Sequence, residues 1–317
     1  MSFKTKLNTN RLPYLCVLLK YKNMEKVWFI TGSSRGLGRS LTEAVLATGD
    51  KVAATARDIT SLNDLKEKYP AQLYPIRLNV DHSGEISSAV STTISHFGRI
   101  DILVNNAGFG ITGAIEGYTE HQVQSQLQTN LYAPIALTRA VLPHMRAAKS
   151  GHILQVSSIG GRVGSGGVSI YQAAKFGLSG FSEGLAIEVA PLGIKVTCVE
   201  PGGFRTDWAS GSMSYAPHVE GYETTVDTRV NAFQSGNIKP MGDPDKAAQV
   251  MIAITNHPQP PLHLLLGSES VAIVKYSEAA KLKELENWEH LSISTDADDA
   301  ENFLETEHGK KYLDLKK

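Results

Sequence analysis

The chain has 317 residues, 42% of them hydrophobic, and a formal net charge of -1 from 31 lysines and arginines against 32 aspartates and glutamates. That allows a sizeable core in one large α/β domain or two small ones, and the near-neutral balance excludes a global pull toward nucleic acid or an anionic membrane, leaving a small molecule as the expected ligand. Two cysteines, Cys16 and Cys198, are too few and too far apart for a disulfide framework or a zinc site, which points to a reducing, cytoplasmic setting.

Residues 1–23 are basic and polar at Lys4, Lys6 and Arg11, then briefly apolar from Leu12 to Leu19. That run is far short of the ~20 residues that span a bilayer, and no other segment suggests a membrane span. The stretch is expected to be a poorly ordered extension or an upstream misassignment with Met24 as the start, a signal peptide being the alternative.

A strand-and-helix alternation follows. Val27-Trp28-Phe29-Ile30 predicts a strand, and Leu37, Leu41, Ala44 and Val45 then recur at helical spacing. Further strands are predicted from Lys51 to Ala56, Leu73 to Val80 and Ile100 to Val104, with helices from Ser61 to Tyr69 and Gly84 to His96. A long helix from about Glu120 to Ala148 precedes a strand from His152 to Val156, and another from about Ser169 to Ala190 precedes a strand from Ile194 to Val199. Alternation of this kind implies right-handed crossovers and a doubly wound parallel sheet of about seven strands, with helices on both faces.

Beyond Pro201 the period is lost. Residues 203–240 predict a substrate-covering loop, because an aperiodic stretch of that length in a compact domain is usually functional or disordered. A helix over Pro244 to Asn256, entered through Asp243-Pro244, and a last short strand over Leu262 to Leu266 complete a single domain spanning residues 24–290. The acidic run Asp296, Asp298, Asp299 and Glu301, with the terminal lysines, marks residues 291–317 as a solvated, charged tail.

Thr31-Gly32-Ser33-Ser34-Arg35-Gly36-Leu37-Gly38 joins the first strand to the first helix. In that context backbone N–H groups and the helix dipole face an anion, and the glycines permit the tight turn and the approach of a pyrophosphate. Further on, Tyr171 and Lys175 lie four residues apart, on one face of a helix, where the ammonium can favour the phenolate and lower the phenol's pKa.

With its T-G-x-x-x-G-x-G turn, this set of residues resembles the short-chain dehydrogenase/reductase family in its compact one-domain branch, densely over residues 25–210. Asn105-Asn106-Ala107-Gly108 matches the family's N-N-A-G, Tyr171 and Lys175 its Y-x-x-x-K, and Pro201-Gly202 with Thr206 its P-G-x-x-x-T. Asn130 and Ser158, the latter thirteen residues before Tyr171, take the places of two further active-site positions, with Ser157 ranked second. Ala174 stands where the family often has Ser.

The resemblance implies a Rossmann-type fold and an oxidoreductase that interconverts an alcohol and its ketone or aldehyde. Tyr171 would be the general acid/base and Ser158 would orient the substrate oxygen. Lys175 would bond the nicotinamide ribose, and Asn130 would hold a water on a proton path. Cofactor contacts are expected from Gly32, Ser34, Arg35, Gly36, Leu37 and Gly38 at the phosphates and from Asn106, Ala107 and Gly108 on the adenine-ribose side. Asn79 and Val80 are expected near adenine. Tyr171, Lys175, Pro201, Gly202 and Thr206 are expected around the nicotinamide.

Arg57, just past the second strand, and Arg35 could together bond a 2′-phosphate, which favours NADP(H). Asp58 would favour NAD(H) if a one-residue offset brought it to the ribose hydroxyl. Phe204, Trp208 and Tyr215 suggest a moderately apolar alcohol or carbonyl substrate. The histidines, His144 and His152 included, lack metal-ligand spacing and are expected at the surface or at strand edges, so no metal is expected. The two long helices suggest a homodimer or homotetramer. The alternatives are a non-catalytic NADP-binding sensor or scaffold, which would have no need of Tyr171, Lys175, Ser158 and Asn130 together, and a sugar-nucleotide epimerase or dehydratase, which would carry a T-G-x-x-G-x-x-G turn.

Overall fold

Seven strands form the main sheet of the computed structural model, which describes residues 25–236 and 239–315. The extension expected over residues 1–23, and Met24, lie outside the described residues. The strands are β1 (Val27–Ile30), β2 (Lys51–Ala56), β3 (Leu73–Arg77), β4 (Ile102–Asn105), β6 (Gly151–Val156), β7 (Ile194–Pro201) and β9 (His263–Leu266), in the order β3-β2-β1-β4-β6-β7-β9, all parallel. Two shorter strands, β5 (Gly110–Thr112) and β8 (Met213–Tyr215), pair separately. The doubly wound Rossmann-type architecture is therefore as expected.

The central strands are buried on both faces, so they are apolar throughout, and their side chains alternate between two cores. Trp28, Ile30, Val52, Ala54, Ile102 and Val104 face Leu41, Val45 and Leu46 of helix α1 (Gly36–Ala47). Leu65 of α2 (Asn63–Lys68) belongs to the same cluster. On the opposite face Phe29, Ala53, Leu103 and Ile153 meet Ile86 and Val90 of α3 (Ser83–Phe97).

The long helix expected over 120–148 is interrupted. It comprises α4 (Glu120–Leu127), a π turn (Gln128–Tyr132) and α5 (Ala133–Ala148). Pro134 has no N–H to offer the carbonyl four residues earlier, that of Asn130, and the helix widens there. Leu137, Val141 and Met145 of α5 still reach the second core, as do Leu185 and Val189 of α6 (Ser169–Val189).

The expected loop at 203–240 carries short elements: α7 (Trp208–Gly211), β8, a π turn (Glu223–Asp227) and α8 (Thr228–Gln234). Next comes α9 (Pro244–Thr255), capped by Asp243, whose carboxylate accepts from the N–H groups of Asp245 and Lys246. Its Ala247, Ala248 and Met251 complete the first core.

The chain divides into two compact units, one ending at Ala272 and one beginning at Ile273. The first holds both sheets. The second contains most of the 26-residue helix α10 (Ser268–Ile293), a 3-10 turn (Phe303–Glu305) and α11 (Glu307–Leu315), so the stretch expected as a plain charged tail includes a helix. Among the described residues, no helix is long and apolar enough to cross a membrane.

Candidate active site

The carboxyl ends of β1, β4, β6 and β7 converge on a cavity of about 460 Å³, which is where ligands bind in open parallel sheets. At its floor lies the glycine turn. Gly32 and Gly36 have φ of 68° and 58°, in the left-handed region that favours glycine, and a Cβ at Gly38 would overlap the carbonyl oxygen of Gly32. Arg35 occupies the N-cap of α1 in extended conformation and makes no side-chain capping bond, so the first N–H groups of the helix face the cavity beside Ser34, Gly36 and Leu37. The backbone here fits a pyrophosphate.

The turn is held from β4. Asn106 Nδ2 donates to the carbonyls of Thr31 (2.8 Å) and Gly32 (3.2 Å), while Thr31 Oγ1 accepts from the N–H groups of Asn106 and Ala107 at 2.9 and 3.0 Å. Asn105 reaches the other way, its Nδ2 donating to Gln155 Oε1 across to β6 at 2.9 Å. Asn106, Ala107 and Gly108 all line the cavity.

Asn130 lies on the π turn and is fully buried. Its Oδ1 accepts from the N–H of Phe109 at 3.1 Å and its Nδ2 donates to the carbonyl of Phe109 at 2.7 Å, a two-point clamp on the segment after Gly108. It is absent from the cavity lining.

Ser158, at the end of β6, accepts from the N–H of Gly160 at 2.9 Å and hydrogen-bonds Tyr171. Gly160 permits this closeness, since a Cβ there would lie 3.3 Å from the Tyr171 ring and 3.4 Å from Ser158 Oγ. Ser157 also borders the cavity, but its hydroxyl donates to the carbonyl of Lys175 at 3.1 Å rather than meeting Tyr171. Lys175 is buried, donates to the carbonyl of Val156 at 2.8 Å and lies 5.7 Å from the Tyr171 ring centroid.

The expected direction of the tyrosine shift is reversed. Enclosure by the protein pushes the Tyr171 phenol up to about 12, against a smaller downward pull from Ser158, and burial pushes Lys175 down to about 8. Desolvation outweighs the hydrogen bond from Ser158, so the protein's own groups favour the protonated phenol.

Four expected cofactor residues, Gly38, Arg57, Asn79 and Val80, do not line this cavity, Gly38 being buried in the turn behind it. Asn79 instead bonds locally, its N–H to Glu85 at 2.8 Å and its Oδ1 to the N–H of Asp81 at 3.2 Å. Pro201, Gly202 and Thr206 do line it. Asp58 is occupied by its own turn, its Oδ1 accepting from Thr60 N (2.9 Å) and Oγ1 (2.7 Å).

Similarity to known proteins runs over most of the chain. The family model described as short chain dehydrogenase matches residues 26–214. Oxidoreductase BOA17 of Botryotinia fuckeliana is 41% identical over 273 residues, covering 86% of this chain and 100% of that protein. The crystal structure of a short-chain dehydrogenase from Streptomyces avermitilis superposes with a TM-score of 0.82 at 38% identity, covering 86% of this chain and all of its own. A metagenomic short-chain oxidoreductase in complex with NADP gives a TM-score of 0.61 at 26% identity, covering 76% and 96%. The chain belongs to the short-chain dehydrogenase family.

On this short-chain dehydrogenase, the far side of the cavity is built by residues that sequence reasoning largely missed. Trp208 was anticipated: its ring meets Tyr171 edge-on at 5.7 Å and Phe233 at 6.2 Å. Phe204 also lines the cavity, whereas Tyr215 lies on β8 and does not. Arg229 and Phe233 were not foreseen, because the aperiodic 203–240 stretch gives no face on which to place them, and neither were Ser165 and Val168 in the turn before α6.

Behind Pro201 lies a buried charge network, also unforeseen. Glu200, fully buried, is met by Arg162 Nη1 at 3.3 Å and His263 Nδ1 at 2.7 Å, and His263 Nε2 lies 3.2 Å from Glu183. Cys198, Glu200 and His263 bring ligand-type atoms within 4.8 Å of one another, but both imidazole nitrogens already have carboxylate partners. His263, beside the Cys198 sulfur and bonded to Glu200, is pushed up to about 10. His152 is buried rather than at the surface, and burial pushes it down to about 3.

Proposed function

We propose that the protein is an NADP(H)-dependent oxidoreductase that interconverts an alcohol and its ketone or aldehyde, with Tyr171 as general acid/base. The observation that carries this is the convergence of Ser158, Tyr171 and Lys175 on one wall of a cavity whose floor is a phosphate-type glycine turn. Bound there, the nicotinamide would donate or accept the hydride.

The residues account for the rest of the balance. In the reducing direction a carbonyl oxygen accepts hydrogen bonds from Ser158 and Tyr171, and the phenol gives up its proton as the hydride reaches the carbonyl carbon. A phenol held protonated suits that role. In the oxidising direction Tyr171 takes the alcohol proton, which requires the phenolate to be favoured. Lys175 is the protein cation in place to do so, and it would also bond the nicotinamide ribose. Asn130 acts by fixing Phe109 and hence the N-N-A-G segment.

NADP(H) is favoured over NAD(H) by charge. Arg35 lies at the turn, and the N–H of Ser33 donates to the carbonyl of Thr55 at 2.9 Å, tying the turn to the end of β2 where exposed Arg57 follows. Asp58, the carboxylate that would favour NAD(H), is engaged in its own turn. The metagenomic relative solved with NADP supports the same choice.

The deciding experiment follows NADPH absorbance with a panel of ketones and aldehydes. Tyr171→Phe is expected to lower turnover by a factor on the order of 10²–10⁴ while cofactor affinity stays within a few-fold. Near-normal turnover in that variant would remove Tyr171 from the mechanism.

A further inference from the structure

Five charged side chains line the cavity: Arg35, Lys175, Asp207, Arg229 and Glu269. Four are accounted for by the glycine turn and the nicotinamide end. Arg35 belongs to the turn, Lys175 bonds Val156, Asp207 follows Thr206, and the Glu269 carboxylate lies beside Gly202 and Gly203. Arg229 stands apart from them. It is half-buried and has no ion-pair or hydrogen-bond partner among the described residues, and the nearest acid on its own segment, Asp227, is taken by His218 at 3.0 Å.

Its placement is built. Arg229 and Phe233 are four residues apart on α8 and share a face, and Phe233 packs on Trp208, which packs on Tyr171. The Arg229 stem also rests on the turn leading into α6, where a Cβ on Gly167 would lie 3.3 Å from Arg229 Cδ. That turn is four residues before Tyr171. Helix α6 begins without a side-chain cap, so its positive end lies on the same wall. Removing a guanidinium from water without a partner is unfavourable, and burial lowers its pKa here. A ligand anion would reverse that.

We propose that Arg229 binds a carboxylate of the substrate, so that the cavity selects oxo or hydroxy acids whose carboxylate is separated from the reacting carbon by an apolar spacer lying on Trp208 and Phe233. This rests on the assignment of Tyr171 as the reacting end. The guanidinium offers a planar pair of N–H groups to the two carboxylate oxygens, and the aromatic pair excludes water from between the two polar ends.

The test compares 4-oxo-4-phenylbutanoate with its methyl ester as substrates with NADPH, in the full chain and in Arg229→Met and Arg229→Lys. Wild type is expected to favour the acid over the ester in kcat/KM by about 10–100-fold, mainly through KM. Arg229→Met should bring that ratio near unity, and Arg229→Lys should keep part of it.

A second measurement does not depend on turnover. Titration of 4-phenylbutanoate and its methyl ester against the NADP-loaded protein, read by tryptophan fluorescence, should show the acid binding at least about 10-fold tighter in wild type and equally with the ester in Arg229→Met. Equal affinities in wild type, an unchanged preference in Arg229→Met, or no measurable binding of the acid would overturn the proposal. Should Tyr171→Phe reduce both compounds normally, the acid/base assignment fails instead, and the binding ratio still decides the role of Arg229.

Discussion

Lys175 gives its hydrogen bond to the carbonyl of Val156 at 2.8 Å while lying 5.7 Å from the centre of the Tyr171 ring. The ammonium is thus anchored to the sheet beside the phenol ring rather than bonded to its hydroxyl. Burial holds it at about 8, below the ordinary lysine value, so between pH 8 and about 10.5 the unfolded chain binds a proton that the folded chain does not, and stability rises with pH across that window. Lys175→Met removes the group. The stability of wild type relative to Lys175→Met is therefore expected to increase from pH 8 to 10.5, as read by urea unfolding, and a flat difference would mean that the amine is not buried as described.

Asn130 tests whether the π turn serves the site or merely interrupts a helix. Asn130→Ala leaves the N–H of Phe109 without its partner and its carbonyl with only Gln126 Nε2, at 3.2 Å, which is expected to destabilise the protein by about 1–3 kcal/mol. Asn130→Asp keeps the acceptor for the Phe109 N–H and loses only the donor, so it should recover part of that loss. Thermal melts of the two variants decide it. Equal losses would mean that the bond Asn130 accepts from the Phe109 N–H contributes nothing.

Cofactor choice should respond to charge at two positions of unequal geometry. Arg57→Ala and Arg35→Ala are each expected to weaken NADP by about 10–100-fold and NAD much less, since each charge-assisted bond to a 2′-phosphate has no counterpart in NAD. Isothermal titration with both nucleotides measures this. Equal weakening of NADP and NAD by Arg57→Ala would withdraw that residue from the phosphate.

How much could be read beforehand depended on period and spacing. The parallel sheet was legible because its strands are buried on both faces and so are apolar in unbroken runs, as in Val27-Trp28-Phe29-Ile30. Gly32, Gly36, Gly38, Ser158, Tyr171 and Lys175 were legible because one backbone turn and one helix face fix their spacing. Arg229 and Phe233 were not, since their positions follow from how residues 203–240 fold back over the cavity. The direction of the Tyr171 shift was missed for a related reason: spacing shows that a lysine is near, but only the packed structure shows how the surrounding protein crowds water from the half-buried phenol.

The Glu200–His263 pair supplies the last prediction, and its sign opposes that of Lys175. Next to the Cys198 sulfur and bonded to Glu200 at 2.7 Å, His263 is pushed up to about 10, so the folded chain holds a proton that the unfolded chain, with its histidine near 6.5, releases first. The pair's contribution is therefore fully present below about pH 6.5 and is lost as pH rises toward 10. Over most of the range from pH 6.5 to 8 Lys175 stays protonated in both states, and its onset near pH 8 would raise stability, so a fall in Tm there reports on His263. His263→Gln should flatten it. Glu200→Ala, which leaves Arg162 and His263 facing a buried gap, should destabilise by about 3–5 kcal/mol and, because Glu200 leads directly into Pro201 and Gly202, should also weaken cofactor binding. A melting temperature in His263→Gln that still falls between pH 6.5 and 8 as in wild type would place the titrating group elsewhere.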